Sequence, residues 1–162
     1  MTGTESKKGS ILWSKIARCD QIEAISATFY PAALAFSKRG IKLDLLVPPY
    51  SLEGYAARRG RQEQKNGTEV SGWYSDIMTL RRCVVEAVAN LPNIRVHGFD
   101  NDDAITGDLT NYQDIMHIQK PEIYEKILKG ISAGTSVLTP ENWADYERTL
   151  TARVLALQAK IP

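Results

Sequence analysis

Apolar positions recur along this chain in two rhythms. Ile22, Ile25, Phe29 and Phe36 follow a helical spacing, and Asp20 with Glu23 has the form of a capping box at its start. Pro31 lacks an amide donor and is expected to kink that helix. Lys38, Arg39 and Gly40 give it a basic last turn and a glycine stop. Ile41 to Val47 then reads as a short strand, ended by Pro48 and Pro49. A second helical stripe, Ile77, Leu80, Val84 and Val88, predicts a helix over 75–90 that packs on the strands. Leu91-Pro92-Asn93 breaks it, and 94–99 reads as a second strand. Further helices are expected from Pro121, a favoured first-turn proline, and from Thr139-Pro140-Glu141. The last shows an apolar face of Trp143, Tyr146, Leu150, Val154 and Leu157.

Between these elements the pattern thins. Residues 51–72 read as a long polar loop with about one helical turn near Ala56-Ala57, and a loop of that length is usually functional or mobile. Ile11 to Ala17 is apolar but fits strand or helix alike. The order of helices and strands implies an α/β layer with a parallel sheet. Two strands make a poor sheet, so further strands are expected near the N-terminus or from elsewhere. Residues 1–10 read as a flexible leader, 11–138 as the α/β domain and 139–162 as a C-terminal amphipathic helix.

Composition removes several classes. The 162 residues carry 20 basic and 19 acidic side chains, a net charge of +1. That gives no electrostatic footprint for nucleic acid. No apolar run reaches membrane-spanning length. The leader has no apolar core of a signal peptide, which by default leaves the chain cytoplasmic. Cys19 and Cys83 fit neither a disulfide framework nor a zinc site and read as packing thiols. Asn66-Gly67-Thr68 reads as a turn. Asp100, Asn101, Asp102, Asp103 and Asp108 fail the calcium-loop pattern, with Ile105 and Asn111 where glycine and glutamate are required, and read as a solvated loop. No metal and no cofactor is implied.

Candidate chemistry centres on two histidines. His97 alternates within a strand and reads as structural. His117 follows Asp114 by three residues, a spacing that puts both on one face of a turn or helix. Either the aspartate caps a helix beside an incidental histidine, or its carboxylate holds one imidazole nitrogen and frees the other as a base. Ligand sites in open α/β sheets lie at the carboxyl ends of strands. Pro48 to Ser51 and the loop 100–111 both leave that edge. Arg58, Arg59 and Arg61 are candidates to hold an anion. Ser51 lacks the strand–turn–helix elbow of a nucleophile.

The segments "LLVPPYS", "LPNIRVHGFDND" and "LTNYQDIMHIQKPEIYEKIL" together resemble the C-terminal half of an SGNH (GDSL-like) hydrolase. The likeness spans roughly residues 20–131. More narrowly, they resemble bacterial members related to polysaccharide and teichoic-acid acylation proteins. The resemblance implies a flavodoxin-like α/β/α three-layer fold. It also implies an esterase or O-acyltransferase acting on an acylated sugar or polyol. Asp114 would be the orienting acid and His117 the general base. Tyr50 and Ser51, with Arg58, Asn111 and Tyr112, would line the substrate pocket. The sequence departs from the family in three places. Gly107-Asp108 is followed by Leu109 rather than serine, no Gly-x-Asn-Asp block is present, and Ile118 stands where an aromatic is common. The implied entity is the acid–base half of an esterase, inactive alone and pairing with a nucleophile half or another copy. The alternative is a non-enzymatic truncated remnant or an interaction module that pairs its open sheet edge with another chain.

Overall fold

A computed structural model describes residues 19, 22–59, 64–65, 68–69 and 72–160. The leader, the stretch Ile11 to Ala17, Asp20, Arg61 and Asn66-Gly67 lie outside the described residues. The architecture is mixed α/β. A π-helical stretch, Ala24–Phe29, runs into α1 (Tyr30–Lys38). Pro31 sits at the junction of the two windings. Gly40, at φ +68°, ends α1 as a Schellman turn, with Ile41 N–H donating to Phe36 O. The helix buries Ala33 rather than Phe36, which is exposed.

Two strands follow the sequence pattern: β1 (Leu43–Val47) and β4 (Ile94–Gly98) pair in parallel, Leu43 opposite Ile94 and Val47 opposite Gly98. The chain crosses between them through α2 (Leu52–Arg58), a small antiparallel pair β2 (Gln64–Lys65) and β3 (Thr68–Glu69), and α3 (Trp73–Val88). The stretch read as loop thus begins with a seven-residue helix. After β4 come α4 (Asp103–Thr106), a 3-10 turn at Leu109–Asn111, α5 (Pro121–Ser132), β5 (Val137–Leu138) and α6 (Pro140–Gln158). The third strand is therefore β5, and it runs antiparallel to β4, so the sheet is mixed in the order β1-β4-β5. Two residues are too short to show a period, which is why the pattern missed it.

The main core joins Val47, Val96 and Leu138 of the sheet to Tyr55 of α2, Met78 and Val85 of α3, and Trp143, Tyr146, Leu150 and Val154 of α6. Thr139 and Asn142 cap α6 reciprocally. On α3 the buried stripe is Tyr74, Met78, Arg81, Val85 and Val88. Of the expected stripe only Val88 is fully buried. Ile77, Leu80 and Val84 instead line a groove of about 290 Å³ with Leu45, Val47 and Phe29.

Cys19 and Cys83 are joined by a disulfide, which overturns their reading as packing thiols. Sixty-four residues separate them, and only the fold brings Cys19 to the α3 face that Ile22 and Ile25 cover. His97 is fully buried. Its Nδ1 meets Thr135 O at 2.8 Å and its Nε2 meets Asp44 Oδ1 at 3.0 Å, which ties three segments together.

Candidate functional site

The chain from Tyr112 to Ile118 closes on itself: the two end residues form a β-bridge, and Gln113 N–H donates to His117 O. Within that turn Asp114 Oδ1 accepts the amide protons of Met116 and His117, at 2.7 and 2.9 Å. Its Oδ2 meets His117 Nδ1 at 2.7 Å. The His117 contact first, then the two amides, hold the Asp114 carboxyl at about 2, well below its ordinary value. An ionised carboxylate can only accept, so Nδ1 carries a proton, and the neutral form of the ring is the tautomer with its lone pair on Nε2. The side chains of Asp114 and His117 are 54% and 70% exposed, and among the described residues Asp114 is the imidazole's only hydrogen-bond partner.

The turn rests on the segment that leaves the carboxyl end of β1. Ser51 donates twice to Ile115 O, from its amide at 3.2 Å and its hydroxyl at 3.0 Å. The same hydroxyl accepts from Gly54 N–H as the N-cap of α2. Ser51 is fully buried and does not line an open pocket. Tyr112 is buried, with its hydroxyl donating to Pro49 O, and burial raises its pKa. Asn111 is buried too, its amide donating to Ala104 O and Ile105 O. These three expected substrate residues therefore have their polar groups turned to the protein's own backbone.

Arg58 stacks over Trp73, 4.7 Å from the ring centre, and donates to Met116 Sδ. Tyr50 packs against Tyr55 and Trp73 at the end of the apolar groove. Both are half-buried. Arg59 lies over Tyr74.

A second polar centre escaped the sequence reading. Asp100, just past β4, was read as part of a solvated loop, but it is fully buried. Its carboxylate accepts from the Tyr55 and Tyr146 hydroxyls and from Arg81, 3.2 Å away. Arg81 also donates to Tyr55 and to Pro48 O, so the group ties the ends of β1 and β4 to α3 and α6. Burial, then the Asp100 charge, raises both tyrosine pKa values. Burial opposes the charge on Arg81, but Asp100 and the two phenols outweigh it and raise that pKa as well. The hydrogen bonds that Tyr55, Tyr146 and Arg81 give here all end on the protein's own atoms, which makes this a clamp rather than an open site. One signal was available: Arg81 sits in register with Met78 and Val85 on the apolar face of α3.

The rest of the acidic loop is consumed locally. Asp102 caps α4 and pairs with Lys126, Asp103 pairs with Arg153, and Asp108 caps the 3-10 turn. Among the described residues the one cluster of metal-ligating groups is Cys19, Cys83 and Glu86, and its joined sulfurs offer no thiolate. No described helix is long and apolar enough to cross a membrane. No family model, curated protein or solved structure matches the chain.

Proposed function

We propose that this chain is the acid–base half of an SGNH-like ester hydrolase or O-acyltransferase acting on an acylated sugar or polyol. The Asp114–His117 pair carries the reading. It presents an imidazole held through Nδ1 by an ionised carboxylate, with Nε2 without a partner among the described residues, beside the carboxyl end of β1. The parallel β1–β4 pair would then belong to a larger flavodoxin-like α/β/α sheet. The nucleophile would be a serine on a second polypeptide segment, since Ser51 has its hydroxyl engaged on Ile115 and Gly54.

In the complete site the serine oxygen attacks the acyl carbonyl while His117 Nε2 takes its proton. Asp114 steadies the imidazolium. As the tetrahedral intermediate collapses, the leaving alcohol departs with the proton from Nε2. Water or an acceptor hydroxyl then repeats the sequence on the acyl-serine. With its carboxyl held at about 2, Asp114 stays ionised at neutral pH and can hold the ring there.

A chromogenic acetyl ester and a fluorophosphonate label test this. The chain alone should be silent. Adding a polypeptide that carries the Gly-Asp-Ser block and oxyanion donors should restore turnover. His117→Ala should then lower it by about 10²–10⁴-fold. Equal turnover with His117→Ala would end the proposal.

One observation favours a second reading, a non-enzymatic module. Among the described residues strand β1 is an edge of the sheet, and its exposed Leu46 lines the apolar groove. Such an edge is a template for another strand. Complex formation without restored turnover would favour this reading.

A further inference from the structure

The two residues inside Asp114-x-x-His117 are each gripped by α2, at opposite ends of that helix. Ile115 O takes both the amide and the hydroxyl proton of Ser51 at the N-terminus. Met116 Sδ takes an N–H from Arg58 in the last turn, 3.1 Å away, and Arg58 is itself steadied by Trp73. Gly54, one turn in, faces the same carbonyl: a Cβ there would stand 2.5 Å from Ile115 O and 3.2 Å from Ile115 Cβ. The loop backbone cannot lie where it does if position 54 carries any side chain.

We propose that α2 is the mount of the Asp114–His117 pair, with Ser51 and Gly54 as positioning residues that fix the loop on which the imidazole is aimed. Calling the pair catalytic rests on the function proposed above; the mounting does not. A serine that only capped α2 would need to accept from Gly54 N–H. Ser51 also donates outward across 64 residues of sequence, and that donation serves the loop alone.

The test reads the loop rather than turnover. The Asp114 carboxyl reports loop geometry, because His117 and the amides of Met116 and His117 together hold it at about 2. The chain has two histidines, so carbon-detected NMR of the side chains can follow His117 beside buried His97 as an internal check of the fold. Ser51→Ala and Gly54→Ala should each move the Asp114 midpoint upward by about 1 unit or more, as opposing charge and amides are lost. His97 should be unmoved, and Ser51→Thr, which keeps the hydroxyl, should restore the wild-type midpoint. If Ser51→Ala disturbs the His97 signals, Gly54→Ala decides. A wild-type Asp114 midpoint in Gly54→Ala, with His97 undisturbed, overturns the proposal. If Asp114 shifts in these variants but His117→Ala leaves restored ester turnover intact, the mount stands and the hydrolase reading falls.

Discussion

Asp44 accepts from Arg95 through both oxygens and from His97 Nε2 through one, and the side chain keeps partial access to solvent. Arg95 chiefly, with a smaller contribution from His97 and against the cost of burial, lowers its pKa to about 2. A carboxyl depressed in the folded state adds stability above its unfolded value of about 3.9 and loses it as pH falls through the folded value. The melting temperature should therefore drop between about pH 4 and pH 2. Asp44→Asn should be less stable at neutral pH and show a shallower fall. An unchanged acid limb in that variant would remove Asp44 from the account. At this scale the sequence was legible where partners are close along the chain. Asp114 and His117 are three apart, and one turn joins them. Asp100 was illegible because its partners, Tyr55, Arg81 and Tyr146, stand 45, 19 and 46 residues away.

Elements with a clear period, such as α3, α6, β1 and β4, could be placed from pattern alone, because burial on one face imposes the period, and α5 from Pro121 in its first turn. Elements that lack one could not. Helix α2 carries a glycine and charged residues, and it is held by caps from outside: Ser51 at its start, and Gln158 of α6 donating to Ala56 O and Arg59 O at its end. On α3 the face was misjudged because Arg81, polar by type, belongs to the buried stripe. The consequence is measurable. Val85 is 1% exposed in the main core, while Val84 is only partly buried at the groove. Val85→Asp should cost about 3 kcal/mol or more, the range for burying an unpaired polar group or charge. Val84→Asp should cost clearly less. Equal losses in urea melts would mean that the groove is as closed as the core.

For the molecule as a whole, a three-stranded sheet, with β1 and β5 as its edges among the described residues, is covered by α3 and α6, and the disulfide fastens Cys19 to α3. A link across 64 residues removes loop-closure entropy from the unfolded chain, worth about 4 kcal/mol in the chain-entropy model. Reduction with a dithiol should lower the unfolding free energy by up to about that amount. Urea melts with and without reductant measure it, and coincident curves would show that the link adds nothing. Nothing in the spacing of two cysteines could reveal this pairing, whereas the α/β alternation was visible from the order of helices and strands.

The same bond redirects mechanical load. Tension applied at the two ends of an oxidised chain passes from Cys19 directly into α3, and α1, β1 and α2 hang on an enclosed loop that bears none of it. Those 64 residues would otherwise pay out roughly 220 Å of extended chain, at about 3.5 Å per residue. Stretched in an optical trap, the oxidised protein should lengthen by that much less than the reduced one. The helix that Ser51 caps is spared the tension itself, yet it leans on Ile115 and Gln158 of the loaded stretch, so it loses its hold as the core is pulled apart.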